Sequence, residues 1–278
     1  MDNVYFNGTF CKKSKFSILY SNRAFQYGDA FFDTIRCHKG SPLFWEAHYF
    51  RIAASFYIMK MSPPDDFEMK KLKSIVKNLL LKNNLASSSS RVKITFFRNS
   101  GGYYSPKDHS VSVLIESEKI ADTLYKLNKS GLRVGSYKDN FISKHSLSNI
   151  KTTNKALNVL ASIYAQDNGF DDCLLLNNEK NIVESTSGNI FIVSDDNIKT
   201  PLLSEGCIDG IIRKVLLNEH EFNIKEEIIT FLDILNAQEV FFTNVIQGVS
   251  WVSSIKNTDF VNYKSTEILD FLNKKYFV

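Results

Sequence analysis

At Trp45 the spacing of apolar residues changes, and that change constrains the fold more than any other feature of the chain. Trp45, Tyr49, Ile52, Ala53, Phe56 and Met59 recur at intervals of three and four, the repeat of one helix face. Before them the sequence alternates as strands do, first around the turn dipeptide Asn7-Gly8 and then from Ala30 to His38, which meets Ser41 to Trp45 through Lys39-Gly40. A chain that uses both periods this early is neither all-helical nor all-β. Pro63-Pro64 is expected to stop the first helix, and a second is expected from about Phe67 to Lys82 with Met69, Leu72, Ile75, Leu79 and Leu80 as its buried stripe. Strands follow at Arg91 to Arg98 and Ser110 to Glu116, joined by the loop Asn99 to Asp108.

A second strand-rich half opens at Gly131 to Tyr137. It continues with a helix from about Asn154 to Asp167, strands at Asp172 to Leu176 and Asn189 to Val193, a helix starting at Gly210, a strand near Val240 to Thr243 and a terminal helix from Thr266 to Lys275. No repeat is evident, and the βαβ alternation with GxGxxG of a dinucleotide-binding fold is absent. The expectation is an α+β protein of two domains, 1–116 and 131–278, with 117–130 between them.

Composition removes several classes of function. The 34 basic and 30 acidic residues are spread without a polybasic block, which gives nucleic acid or a membrane surface little to bind. Cys11, Cys37, Cys173 and Cys207 have no CxxC spacing, which argues against a zinc site or a disulfide framework and suits a reducing compartment. No metal is expected. The N-terminus shows no signal-peptide pattern and no run is long enough to cross a bilayer, so a cytoplasmic location is expected.

The polar residues that remain suggest a demanding kind of chemistry. Lys151 sits in Asn149-Ile150-Lys151-Thr152-Thr153-Asn154, Glu184 follows the apolar pair Ile182-Val183, and Asp209-Gly210 precedes a helical segment. A lysine that forms a Schiff base needs a deprotonated amine, a pyridinium nitrogen needs a carboxylate, and a phosphate needs backbone N–H groups of the kind a helix start leaves free. Each residue also has an ordinary reading: a solvated lysine, with Lys144 and Lys155 as local competitors, a strand-end or turn acid, and an acidic N-cap. His48 and Arg51, one turn apart, can face one side of their helix, and a phosphate held by that arginine would lie at the domain interface.

Taken in order, these motifs resemble a family. Tyr27-Gly28-Asp29-Ala30-Phe31-Phe32-Asp33-Thr34-Ile35-Arg36, His48-x-x-Arg51, Lys151-x-x-Asn154, Glu184-Ser185-Thr186-Ser187-Gly188-Asn189-Ile190-Phe191, Thr200-Pro201 and Gly210-Ile211-Ile212-Arg213 look like the motif set of class IV aminotransferases, the fold-type IV pyridoxal phosphate enzymes. The resemblance covers about residue 4 to residue 255. It implies a small α/β N-terminal domain and a larger C-terminal pseudo-barrel domain, as in D-amino acid aminotransferases, with the cofactor between them in a homodimer. It further implies that Lys151 holds the cofactor as a Schiff base and then shuttles protons at the substrate, and that Glu184 pairs with the ring nitrogen. Arg51 and the N–H groups of Ile211, Ile212 and Val245 would hold the phosphate, and Ile208 would pack on the ring.

Within the family, the segment Arg98-Asn99-Ser100-Gly101-Gly102 is similar to that of aminodeoxychorismate lyases, and Thr34 falls where those lyases carry a threonine near the cofactor. Branched-chain enzymes usually carry Asn-Tyr where this chain has Asn154-Lys155. Tyr103 stands where the lyases carry a basic residue, so Arg98 and Tyr103 become the candidate substrate contacts. The resemblance therefore implies a lyase acting on a small amino substrate, with a D-amino acid or branched-chain aminotransferase as the alternative. A cofactor-free, non-catalytic relative is a third reading, against which Lys151 and Glu184 both weigh.

Overall fold

The structure, a computed structural model, describes residues 2–195 and 197–277. The chain divides into two compact units, one made of the residues up to Thr123 with Ile150–Asn154, the other of Leu124–Asn149 with the residues from Lys155 onward.

In the first unit, β1 (Asn3–Phe6) and β2 (Thr9–Lys12) form the hairpin expected around Asn7-Gly8. A short α1 (Arg23–Tyr27) leads into β3 (Ala30–His38) and β4 (Ser41–Pro42), followed by α2 (Trp45–Ile58), α3 (Met69–Lys82), β5 (Ser90–Arg98) and β6 (Val111–Lys119). Among the described residues the strands form one six-stranded sheet in the order β2-β1-β6-β5-β3-β4. The return strand expected over Ser41 to Trp45 shrinks to two residues because Trp45 already begins α2. Pro63-Pro64 does not stop α2: Lys60 turns left-handed at φ 50° and Met61 N bonds back to Phe56 O at 2.9 Å, closing the helix earlier.

The core of this unit sets the direction of every β3 side chain. Phe31 and Ile35 pack with Val92, Ile94 and Phe96 against Ile52 and Phe56 of α2 and Val76, Leu79 and Leu80 of α3. By strand alternation Asp33 points into the same layer, while Phe32 and Thr34 point to the opposite face. Residues 150–154 were expected with the second domain. They instead extend the edge of β3, where Phe32 N donates to Lys151 O at 2.8 Å and Thr153 N to Ala30 O at 3.0 Å. The cause is β4, which pairs only with Cys37 and His38 and leaves the backbone of Ala30–Phe32 open on that side.

The second unit contains β7 (Leu132–Ser136), α4 (Ser146–Asn149), α5 (Ala156–Asp167), β8 (Asp172–Leu176), β9 (Ile182–Ser185), β10 (Asn189–Ser194) and β11 (Asn197–Thr200). There follow α6 (Ile211–Leu217), β12 (Ile224–Glu226), α7 (Phe231–Leu235), β13 (Glu239–Asn244), β14 (Gly248–Ile255), β15 (Thr258–Asp259) and α8 (Tyr263–Tyr276). Pairing runs β10-β13-β14-β7-β8-β9, and the Glu184–Asn189 pair joins β9 back to β10. This circuit closes the sheet on itself as the expected pseudo-barrel, with Ile190, Ile192, Val240, Phe242, Val134, Leu174 and Val252 forming a common apolar core. On the other face of β8, Cys173 and Leu175 pack on Ala161 and Ala165 of α5. Among the described residues no helix is long and apolar enough to cross a membrane, and no group of three or more His, Cys, Asp or Glu residues could hold a metal ion.

Candidate active site

Lys151 belongs to the segment clamped on β3, so its backbone is fixed on both sides while its side chain extends over the sheet face that carries Phe32, with Nζ 5.4 Å from the ring centroid. Thr34 is buried two residues along the same face. The segment is tied further by Thr153 Oγ1, which donates to Gly28 O at 3.1 Å, and Gly28 has to be glycine: at φ 63° its backbone is left-handed, and a Cβ would lie 2.1 Å from Asn154 Oδ1.

His48 and Arg51 do face one side of α2, and they meet Asp33 there. His48 Nδ1 lies 2.7 Å from Asp33 Oδ1, and Arg51 donates from Nε to Oδ2 and from Nη2 to Oδ1, each at 2.9 Å. Burial alone would raise the Asp33 carboxyl, but the Arg51 guanidinium and the His48 ring outweigh it and hold the group far below the usual carboxylate range. Burial pushes His48 down despite the neighbouring carboxylate, so the ring is neutral at pH 7 and donates through Nδ1. Because the folded Asp33 binds its proton more weakly than the unfolded one, its stabilisation is complete above the ordinary carboxylate pKa of about 3.9 and is lost as pH falls below it. Asp33→Asn leaves a buried guanidinium without its counter-charge and is expected to cost about 3 kcal/mol at pH 7. Urea unfolding checks this, and the loss should shrink as the pH is lowered through that range.

The second unit gathers Glu184, Ile208 and the start of α6. Glu184 is buried in β9 and accepts from Ile208 N at 2.9 Å, while Asn189 Nδ2 in β10 donates to Ile208 O at 2.8 Å. The loop is held at its other side by Asn149, whose Nδ2 donates to Leu203 O and Cys207 O and whose carbonyl accepts from Asp209 N. Gly210 then has no room for a side chain, since a Cβ would fall 1.8 Å from Asn189 Oδ1. Among the described residues no side chain caps α6, which leaves the first-turn N–H groups of Ile211 and Ile212 without a side-chain acceptor. Next to this helix, at the end of β13, the buried Thr243 Oγ1 has no hydrogen-bond partner among the described residues. Asn244 Oδ1 organises the following turn by accepting from Ile246 N and Gln247 N, and Val245 O accepts from Tyr125 Oη at 2.9 Å.

The two candidate substrate contacts, Arg98 and Tyr103, differ in their surroundings. Arg98 is hydrogen-bonded within the fold: Nε donates to Asp29 at 2.9 Å, Nη1 to Lys60 O and to His109 Nδ1, and Nη2 to Met59 O. Asp29 in turn accepts from Arg23, whose Nη1 bonds the carbonyls of Gly101, Gly102 and Tyr103. Arg98 is thus a buried brace between β5, the end of α2 and the glycine loop, and Tyr103 projects into solvent at 84% exposure. The partners of Asp33 are visible only once α2 lies on β3, and the burial of the Thr243 hydroxyl only once β13 is in place.

The class IV aminotransferase family matches the chain over residues 30–255. Aminodeoxychorismate lyase of Vibrio harveyi is 30% identical over 239 residues, which are 84% of this chain and 86% of that protein. D-alanine aminotransferase of Staphylococcus haemolyticus is 24% identical, covering 92% and 89% of the two chains. In fold, the crystal structure of a branched-chain aminotransferase from Thermoproteus uzoniensis aligns with a TM-score of 0.87 over 97% of this chain and 92% of its own, at 19% identity. The chain belongs to the class IV aminotransferase family and is a pyridoxal phosphate-dependent enzyme. The residues present fit that cofactor. A buried carboxylate suits a ring nitrogen, and the uncapped α6 with the orphaned Thr243 hydroxyl suits a phosphate.

Proposed function

We propose that the protein is an aminodeoxychorismate lyase, releasing pyruvate and leaving 4-aminobenzoate. The observation that carries this reading is the 30% identity to the Vibrio harveyi lyase over most of both chains, against 24% for the D-alanine aminotransferase. Thr34, on the same strand face as Phe32 below the Lys151 side chain, supports it further.

In this reading Lys151 carries the cofactor, which when bound supplies an electron sink for the bond broken at the substrate carbon. Lys151 Nζ then takes the proton from C4 of the substrate. Loss of that proton and of the enolpyruvyl group through its C3–O bond makes the ring aromatic, and the released enolpyruvate becomes pyruvate by taking up a proton. Thr34 orients the leaving side. Glu184 keeps the ring nitrogen protonated, Ile208 packs on the ring, and Arg51 with the N–H groups of Ile211, Ile212 and Val245 holds the phosphate. Nε and Nη2 of Arg51 stay on Asp33, which makes Asp33 the support of that contact.

A cytoplasmic homodimer fits this reading. Phe25 on α1 and Tyr103 and Tyr104 on the loop that Arg23 binds are 78%, 84% and 90% exposed, large side chains that a second subunit would cover. The purified enzyme given aminodeoxychorismate alone is expected to release pyruvate, detected by coupled lactate dehydrogenase. Activity that appears only with a D- or L-amino acid and a 2-oxo acid acceptor would place the protein among the aminotransferases instead.

A further inference from the structure

Tyr125 falls in the stretch expected between the two domains, yet it is buried and held at several points within the second unit. Asn273 of α8 grips its main chain: Tyr125 N donates to Asn273 Oδ1 and Asn273 Nδ2 donates to Tyr125 O, each at 2.9 Å. The ring meets Phe277 edge-on with centroids 4.8 Å apart. It also lies flat on Gly248, where a Cβ would come within 2.5 Å of the ring. From there the hydroxyl reaches Val245 O at 2.9 Å. A plain connecting segment needs none of these contacts.

The turn that receives this hydroxyl has one peptide pinned at both ends. Tyr125 Oη holds the oxygen of the Val245–Ile246 peptide, and its N–H, that of Ile246, donates to Asn244 Oδ1 at 3.0 Å. On the other side of Val245, Asn244 is paired with Gly248 across the β13–β14 hairpin. The backbone on both sides of Val245 is therefore fixed, and so is the direction of its own N–H. The inference rests on the assignment of that N–H to the cofactor phosphate. We infer that Tyr125 is a positioning residue for the phosphate: its hydroxyl keeps the turn after β13 in the arrangement that presents Val245 N–H, and through Asn273 the terminal helix α8 supports the same contact. A phenylalanine at 125 would cover Gly248 equally well. It would leave the Val245 oxygen without its donor, so the peptide could turn over and the binding arrangement would be only partly populated.

The test compares the affinity of the full chain for pyridoxal phosphate with that for pyridoxal, which has no phosphate, by absorbance titration after the cofactor has been removed. Tyr125→Phe should bind pyridoxal phosphate about fivefold more weakly than the wild type, with its affinity for pyridoxal unchanged. Thr243→Val, which removes the buried hydroxyl beside the same turn, is measured alongside and should also lower the preference for the phosphorylated form. If Thr243→Val lowers that preference and Tyr125→Phe keeps it, the proposal is overturned while the phosphate assignment stands. If neither variant changes it, the phosphate assignment itself has failed, and the proposal with it. Equal weakening toward both ligands in Tyr125→Phe marks a tyrosine that serves only the fold, and likewise overturns the proposal. Should Tyr125→Phe fail to fold, Asn273→Ala takes its place, since it loosens the Tyr125 main chain and keeps the hydroxyl. Its preference for the phosphorylated form should drop about threefold, and a wild-type preference would count against the proposal in the same way.

Discussion

Lys151→Ala is expected to lower turnover on the order of 10³-fold or more while leaving the unfolding midpoint close to that of the wild type. The size follows from the two tasks one amine performs in the proposed mechanism, covalent attachment and proton transfer, neither of which a neighbouring side chain can take over. The mild effect on stability follows from the structure. What holds the segment on β3 is main chain, Lys151 O accepting from Phe32 N and Thr153 N donating to Ala30 O, and an alanine keeps both bonds. Steady-state pyruvate release together with thermal unfolding checks the pair of outcomes. A variant that loses activity and also unfolds would point to a structural lysine rather than a catalytic one.

Glu184→Gln is expected to lower turnover about 10²-fold with the fold intact. The amide oxygen can still accept from Ile208 N, so the clamp on the loop before α6 survives. What disappears is the negative charge that keeps the ring nitrogen protonated, and with it most of the electron-withdrawing power the reaction needs. The substitution should therefore act on kcat more than on cofactor affinity, because Arg51 and the phosphate contacts are untouched. A loss of cofactor with kcat unchanged in fully loaded enzyme would contradict the assigned role.

The parts of this fold that the sequence reveals are those in which one face is wet. The first hairpin, α3 and α8 show clear periods because their outer faces are solvated, and Asn7-Gly8 marks its turn by the backbone geometry it alone permits cheaply. β9 shows no strand period because all four of its residues are buried, which removes the alternation that identifies a strand. Closure of the barrel rests on the Glu184–Asn189 pair, and no periodicity announces a single pair. The site divides in the same way. Lys151, Glu184 and Gly210 could be picked out because each residue type suits a distinct chemical need, and their order along the chain resembles a family. The bonds of Arg98 are not legible, because a charged residue at a strand end looks solvated until the fold brings Asp29, Met59 and Lys60 to it. Asp33 shows the same dependence on the fold: it lies on the helical side of β3, where it meets His48 and Arg51 of α2.

All of the proposed chemistry depends on where the cofactor is attached. Borohydride reduction of the loaded wild-type enzyme fixes the linkage in place, and mass spectrometry of the digested protein then locates the added pyridoxyl group. The account predicts the modification on Lys151 alone. A modification on Lys155, Lys144 or any other lysine, or none at all, would contradict it.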